Sequence, residues 1–476
     1  MKAGLKTLIS AVKSVRIRHR EFRGLIRRVH EILSDEGVKG ACSRFHILLI
    51  LNSASAKAGS EYKGTPNTNT PNKDARRNDT GIPGRHPDRR TRPFSCPEIS
   101  PELLPGATLI GHPYGILGMG EVIRSAANAM ETTGIPFCIR NTFGDYGIQD
   151  LNKHKDFPLM DRITSAAVYK TNIFYLNADE MQSALAYLGP EFFRGRYNIG
   201  CWAWELSKFP EEWCGAFSLV NEIWALSRFT QQAISEKADC PVLWMPLAVE
   251  LRGAVRLSRE YFGLPQNKFL FLFFFDFRSY ISRKNPAAVM EAFQKAFGRT
   301  SSRDICLVVK VNGKDDHWKE YAAFQDAVDA FGENAILIDK VMDDREIREL
   351  LRVCDAFVSL HRSEGFGRGL AEAMYLGKPV IATGYSGNLD FNNEMNACLV
   401  DHVLVPVKEG EYPYGMGQFW ADPDIEQAAW YMRQLVHDLS YAKQLGKTGE
   451  NYIKTYHSFR SIGERMRKRL EKLKLA

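Results

Sequence analysis

Residues 360–391, LHRSEGFGRGLAEAMYLGKPVIATGYSGNLDF, narrow the possible folds more than any other part of this chain. The apolar run just before them, 356–360 (AFVSL), reads as a buried strand. A loop punctuated by glycine follows, from Glu364 through Gly365, Phe366 and Gly367 to Gly369. The next residues predict a short helix over 369–376, stopped by Gly377 and kept from continuing by Pro379. A second apolar strand over 380–383 (VIAT) then runs into another glycine loop, 384–388 (GYSGN). Strand, glycine loop, helix start and strand is the plan of a nucleotide site in a doubly wound parallel sheet. The glycines let backbone N–H groups approach an anion, and the helix N-terminus adds partial positive charge. Two glutamates stand eight positions apart, Glu364 before the loop and Glu372 inside the helix. Glu372 is placed to accept from a ribose diol and Glu364 from a sugar hydroxyl. Taken alone, Glu372 reads equally well as part of a solvated helix face.

In this order the residues resemble the donor site of family 4 retaining glycosyltransferases of the GT-B fold. The resemblance rests on Glu-x7-Glu around Gly365-Phe366-Gly367, then on Glu-Ala-Met-x-x-Gly-Lys-Pro-Val-Ile-Ala-Thr over 372–383. It implies an α/β fold of two Rossmann-like, doubly wound domains facing a cleft. It also implies a nucleoside diphosphate sugar as donor, with Glu372 on the ribose and Glu364 on the sugar.

The apolar run 269–275 (FLFLFFF) opens the same sheet and ends in Asp276-Phe277-Arg278, with Lys284 six positions after the arginine and Pro286 suited to a first helical turn. In the family an Arg and a Lys at this spacing clamp the donor diphosphate, so Arg278 and Lys284 are the expected catalytic cations. A guanidinium fork and a point charge would neutralise the leaving group. Surface charges capping a loop are the plainer alternative, and Arg283 is the less certain member of the group. Strands over 305–311 and 335–338 alternate with helices over 319–331 and 344–353. The loop at Val341 is expected beneath the nucleobase.

The first half reads as strand–helix alternation too, with strands over 107–110, 172–176, 197–202, 222–226 and 242–244. Gly115, Gly118 and Gly120 follow the first strand and lead into a helix ending near 131. No acidic residue closes a second strand at the distance a dinucleotide fingerprint needs, which argues against a dehydrogenase. The resemblance instead puts Gly118 and Gly120 at the cleft, near acceptor and diphosphate. Relatives place a histidine at the end of the 197–202 strand. This chain has none there and carries Trp202, Trp204 and Glu205 instead. The indoles read either as a sugar or acceptor wall or as core beneath the cleft. The period of residues 458–473 fits a helix, and in GT-B enzymes the last helix crosses back to the first domain.

The chain is long enough for two or three domains. Four segments are expected: a basic amphipathic helix (1–45), a disordered linker (46–104), an acceptor-side domain (105–252, with 455–476 packing back) and a donor domain (253–454). The nine cysteines form no Cys-x-x-Cys pair, which points away from a disulfide framework or zinc site and toward a cytoplasmic location. No apolar run nears the ~20 residues of a membrane span. The implied activity is transfer of a hexose-type sugar to a hydroxyl of a glycan or lipid-linked saccharide, with neither cofactor nor metal. The alternatives are a GT-B epimerase or phosphorylase, or a silent scaffold on a membrane assembly.

The net charge of +7 equals the excess in residues 1–45, eleven Lys and Arg against four acids, so nothing marks the remainder for nucleic acid. Apolar residues at alternating three–four spacing over 3–35 admit three readings: a packed helix, a coiled-coil dimer, or a helix drawn to anionic lipid on the inner membrane face. The long polar tether behind it favours the last. Each basic residue near such a surface contributes about 1 kcal/mol, screened by salt. The full chain should therefore co-sediment with anionic vesicles in low salt, and a chain lacking residues 1–45 should not. Equal sedimentation of both would exclude lipid binding, and a deletion that only turned dimer into monomer would favour the coiled coil.

Overall fold

The computed structural model of the protein describes residues 97–115, 118–142, 157–253, 255–298, 304–314 and 317–476. The helix expected over 3–35 and nearly all of the linker expected over 46–104 lie outside these residues. The described residues form two six-stranded sheets, each parallel throughout. The first runs in the order β2 (Phe137–Asn141), β1 (Leu104–Gly111), β3 (Tyr169–Phe174), β4 (Tyr197–Trp202), β5 (Glu222–Ala225), β6 (Val242–Trp244). The second runs β12 (Cys398–Val400), β11 (Val380–Thr383), β10 (Ala356–Ser359), β7 (Phe269–Asp276), β8 (Ile305–Asn312), β9 (Ala335–Ile338). This is the α/β, doubly wound, two-sheet architecture implied by the resemblance. Strands such as FLFLFFFD and ICLVVKVN are nearly continuous apolar runs because helices cover both faces of each sheet.

Several strands match their expected bounds, and two features differ. β2 was not anticipated: FCIRN is a short edge strand with too little apolar length to stand out from a loop. Nor was the antiparallel hairpin of β13 (His402–Pro406) and β14 (Phe419–Pro423), whose strands are joined without a tight-turn signal. The first strand also takes Leu104, the last residue assigned to the linker.

The two halves are stitched together at two places far along the chain. The hairpin is tied to the second sheet by Ala421 N donating to Arg362 O (3.0 Å) and by the Arg362–Asp422 ion pair (3.0 Å). Its Trp420 and Val407 are buried in the same apolar cluster as Trp202, Trp204 and Phe209 of the first half. The C-terminal helix, Phe459–Lys472, lays Phe459, Ile462, Met466 and Leu470 into the core and packs on the helix Gly118–Glu131. Gly463 permits this approach, because a Cβ there would collide with Ala129 O. Arg469 Nε donates to both oxygens of Glu222 at 3.0 Å, and Trp224 Nε1 donates to the same carboxylate at 2.7 Å. Among the described residues no helix is long and apolar enough to cross a membrane, and the seven cysteines are unpaired.

Glu222 is 0 % exposed, so loss of that cation would leave a buried carboxyl group without its ionic partner. Arg469→Met should lower the free energy of unfolding by about 3–5 kcal/mol, as expected when one partner of a buried pair is removed. Arg469→Met combined with Glu222→Gln should recover part of the loss. Urea unfolding measures both, and a change within about 0.5 kcal/mol for the single variant would show that the pair does not anchor the helix.

Candidate functional site

The C-terminal ends of both sheets face one cavity of about 1240 Å³, where a doubly wound sheet places its ligands. Its wall carries Gly118, Gly120, Glu205, Arg278, Lys284, Glu364, Gly365, Phe366, Gly367 and Glu372, so most of the residues singled out in the sequence meet in one place.

Glu364 is the centre of the wall. Lys284 Nζ lies 2.5 Å from its Oε1 and Arg283 NH1 3.2 Å from its Oε2. Arg283, the doubtful member in the sequence, is the more deeply buried of the two cations and also donates to Ser363 O at 3.1 Å. Burial alone would raise the Glu364 carboxyl, but Lys284 and Arg283 outweigh it and hold it down from an ordinary 4.5 to about 2. Burial also lowers Lys284, with Glu364 pulling the other way. A carboxylate depressed in this way favours the folded state above pH 4.5, and that contribution is lost as pH falls through about 2. The Glu364 charge is thus constant through the neutral range.

The backbone holds this carboxylate in place from below. Glu364 N donates to Ser386 Oγ at 2.8 Å, and Gly387 N donates to Glu364 O at 2.9 Å. A Cβ on Gly387 would collide with Gly365 O and lie 2.8 Å from Glu364 O, so the two glycine loops touch only because this residue has no side chain. Gly120 is equally constrained against the carbonyl of Gly115.

Glu372 sits in the helix Arg368–Tyr375 and accepts from Arg368 Nε at 2.6 Å. Burial raises its carboxyl, and Arg368 opposes the rise. Arg368 also reaches across the cavity to Glu121 of the first half at 2.9 Å. Arg124, beside Glu121, donates to Pro113 O and Gly115 O at 2.8 Å and so fixes the first glycine loop. Sequence reasoning missed this chain of charges. Its signal was a pair of arginines beside glycine loops in both halves.

Arg278 is turned back on Asp276, with Nε to Oδ1 at 2.9 Å and NH2 to Oδ2 at 2.7 Å. Trp202 and Trp204 do not face the cavity. They are 0 % and 2 % exposed, Trp202 stacking on Phe209 and Trp204 meeting Trp213 edge to face, so of the two readings the core is the one realised. Glu205 does reach the wall, and Tyr412 of the hairpin donates to it at 2.6 Å. Val341 is 53 % exposed on the loop after β9 and is not part of the cavity wall. Among the described residues no three His, Cys, Asp or Glu side chains gather as metal ligands would.

Residues 258–452 match the family model of glycosyl transferases group 1. Comparison with curated protein sequences finds no match. Solved structures resemble the chain over most of its length. One is Anabaena Alr3699/HepE in complex with UDP and glucose, at TM-score 0.55 and 12% identity over 78% of this chain and 100% of that one. Another is sucrose-phosphate synthase from Thermosynechococcus elongatus, at TM-score 0.56 and 13% identity over 78% and 99%. A glycosyltransferase from Rickettsia africae gives TM-score 0.54 and 14% identity over 78% and 100%. The chain has the GT-B glycosyltransferase fold. In GT-B terms the cavity is the interdomain cleft, and the matched segment is the half that carries Arg278, Lys284, Glu364 and Glu372.

Gly387→Ala should push the Glu364 loop out of register while leaving every charge in place. A displacement near 1 Å can cost about 10²-fold in catalysis, so donor turnover should fall by about that factor. A variant with unchanged kcat/KM would show that the contact between the loops does not position the site.

Proposed function

We propose that the protein is a retaining, metal-independent glycosyltransferase that moves a hexose-type sugar from a nucleoside diphosphate sugar to a hydroxyl of a saccharide or lipid-linked acceptor. One observation carries the reading: Lys284 and Arg283 converge on Glu364 beside a glycine loop and helix start, inside the cleft of a GT-B fold. The match to glycosyl transferases group 1 supports a nucleotide-sugar substrate, as do GT-B neighbours solved with UDP and with UDP-glucose.

In this reading Glu372 accepts from the ribose and Glu364 from a hydroxyl of the transferred sugar. Arg278 leaves Asp276 and joins Lys284 on the diphosphate, where both stabilise the charge that develops as the bond to the anomeric carbon breaks. The acceptor oxygen bonds to that carbon on the face the diphosphate leaves, and its proton passes to the departing phosphate oxygen. The chain supplies position and charge and needs no nucleophile of its own. Its cations take the place a divalent ion would otherwise fill. Residues 1–45 bring the enzyme to an anionic membrane surface where a lipid-linked acceptor lies.

The test is turnover of a panel of nucleotide sugars by the full chain, before and after dialysis against EDTA. Activity should survive dialysis. Glu364→Ala and Glu372→Ala should each lower kcat/KM by about tenfold or more, the usual worth of a charge-assisted hydrogen bond, without loss of helical signal. Rates restored only by Mn²⁺ or Mg²⁺ would remove the metal-free mechanism. Unchanged rates in both variants would remove the site. A product epimerised on the nucleotide, or a dependence on free phosphate, would point to the other GT-B chemistries.

A further inference from the structure

The hairpin of β13 and β14 brings a side chain to the cavity wall that the mechanism above does not use. Tyr412, in the connection between the two strands, donates its phenol O–H to Glu205 Oε2 at 2.6 Å. Burial raises that phenol well above its ordinary value, and Glu205 adds to the rise, so the tyrosine keeps its proton at neutral pH. Its ring centroid lies 4.9 Å from that of Tyr280 and 5.7 Å from that of Trp204, and the Arg283 guanidinium is 5.9 Å from it. Gln418, in the same connection, accepts from Lys208 N at 2.8 Å. The hairpin thus grips the loop of Glu205 at two points.

Glu205 in turn lies against the Glu364 loop. Ser363 Oγ donates to Glu205 O, and Glu205 Oε1 is 3.7 Å from where a Cβ on Gly365 would sit. Ser363 and Gly365 flank Glu364, so carboxylates from the two halves stand side by side on the cavity wall. Among the described residues nothing bonds to Glu205 Oε1.

The charges around this pair do not balance once a donor is in place. Lys284 and Arg278 then serve the diphosphate, while Arg124 and Arg368 are engaged by Glu121 and Glu372. Arg283 remains, 6 % exposed, and burial opposes its charge, but Glu364 first and Glu205 second outweigh burial. One guanidinium therefore serves two carboxylates.

We infer that Tyr412 is a positioning residue that holds Glu205 against the transferred sugar, so that Glu205 and Glu364 together bind its hydroxyls and select an uncharged sugar over a hexuronate. Each carboxylate accepts from a sugar O–H. A carboxylate on the sugar offers no proton and brings a third negative charge to the pair. The inference rests on the donor-site reading above and adds the class of sugar that the site admits.

Equilibrium binding of UDP, GDP, ADP and dTDP to the full chain first finds the nucleotide held tightest. Its glucose and glucuronate esters are then compared, which differ in one group, an alcohol or a carboxylate. Wild type should bind the glucose ester over the glucuronate ester by about tenfold or more, as like charges brought together imply. Glu205→Gln should narrow that gap by about fivefold or more, and Tyr412→Phe should weaken the glucose ester by about threefold to tenfold. Both should keep the free nucleotide within about twofold of wild type, which also reports that the variants are folded. Added to Glu205→Ala, Tyr412→Phe should cost less than about a further twofold, because the tyrosine acts through the carboxylate. A tyrosine that only braced the hairpin would weaken the glucose ester equally in both backgrounds, and that result would overturn its positioning role. Equal binding of the two esters by wild type, or a gap that Glu205→Gln leaves intact, would overturn the selection and leave the donor site standing. Failure of wild type to bind any of the four nucleotides would bring down the donor-site reading and this inference together.

Discussion

The pairing of one buried carboxylate with two cations holds this site together. Arg283 and Lys284 arrive on the one-turn helix Ile281–Lys284 that follows β7, and Glu364 on the loop after β10. The Glu364 segment belongs to neither helix nor strand, and the helix that carries the cations is a single turn. Arg362 N donates to Arg283 O at 2.8 Å, and Asn285 Nδ2 donates to Leu360 O at 3.1 Å, so the backbones follow the charges. A buried ion pair is poor evidence of stability, since hydrophobic residues often pack as well. It does specify geometry, because each partner would be costly to leave alone.

The cations of the wall share a condition in this state of the molecule. Arg278 rests on Asp276, Lys284 and Arg283 on Glu364, and Arg368 on Glu372 and Glu121. Lys310 is the exception among them, held by an amide oxygen. An anionic ligand therefore enters by exchanging partners and does not meet bare charge. That favours ligands whose hydroxyls can satisfy the carboxylates as the cations turn to phosphate. Arg368 adds a link between halves, since the residue that opposes the rise of the Glu372 carboxyl also grips the opposite wall.

Much of this was legible in the chain. The strands and helices of the second half appear as apolar runs bounded by glycine and proline, and the spacing of Glu364, Glu372, Arg278 and Lys284 marked the wall of the cavity before its shape was known. What sequence could not supply was direction and distance in space. Trp202 and Trp204 looked suited to stacking on a sugar, but alternation along β4 and the loop after it turns them inward onto Phe209. Arg283 was overshadowed by its neighbour because adjacent side chains usually diverge, whereas here both ends of the Glu364 carboxylate are taken, one by each cation of the turn Ile281–Lys284. Tyr412 lies 207 positions from Glu205, and no local pattern announces a contact of that range.

The hairpin and the last helix place a demand on synthesis. A chain emerging from the ribosome completes β1 to β6 before β7 to β12, yet the apolar cluster beneath β4 lacks Trp420 and Val407, and Glu222 lacks Arg469, until residues 407–469 have appeared. The second half, by contrast, draws its own sheet from a single continuous span, β7 to β12. The lobe whose strands come earlier is thus finished later, and it must wait for covers encoded far downstream of its own sheet.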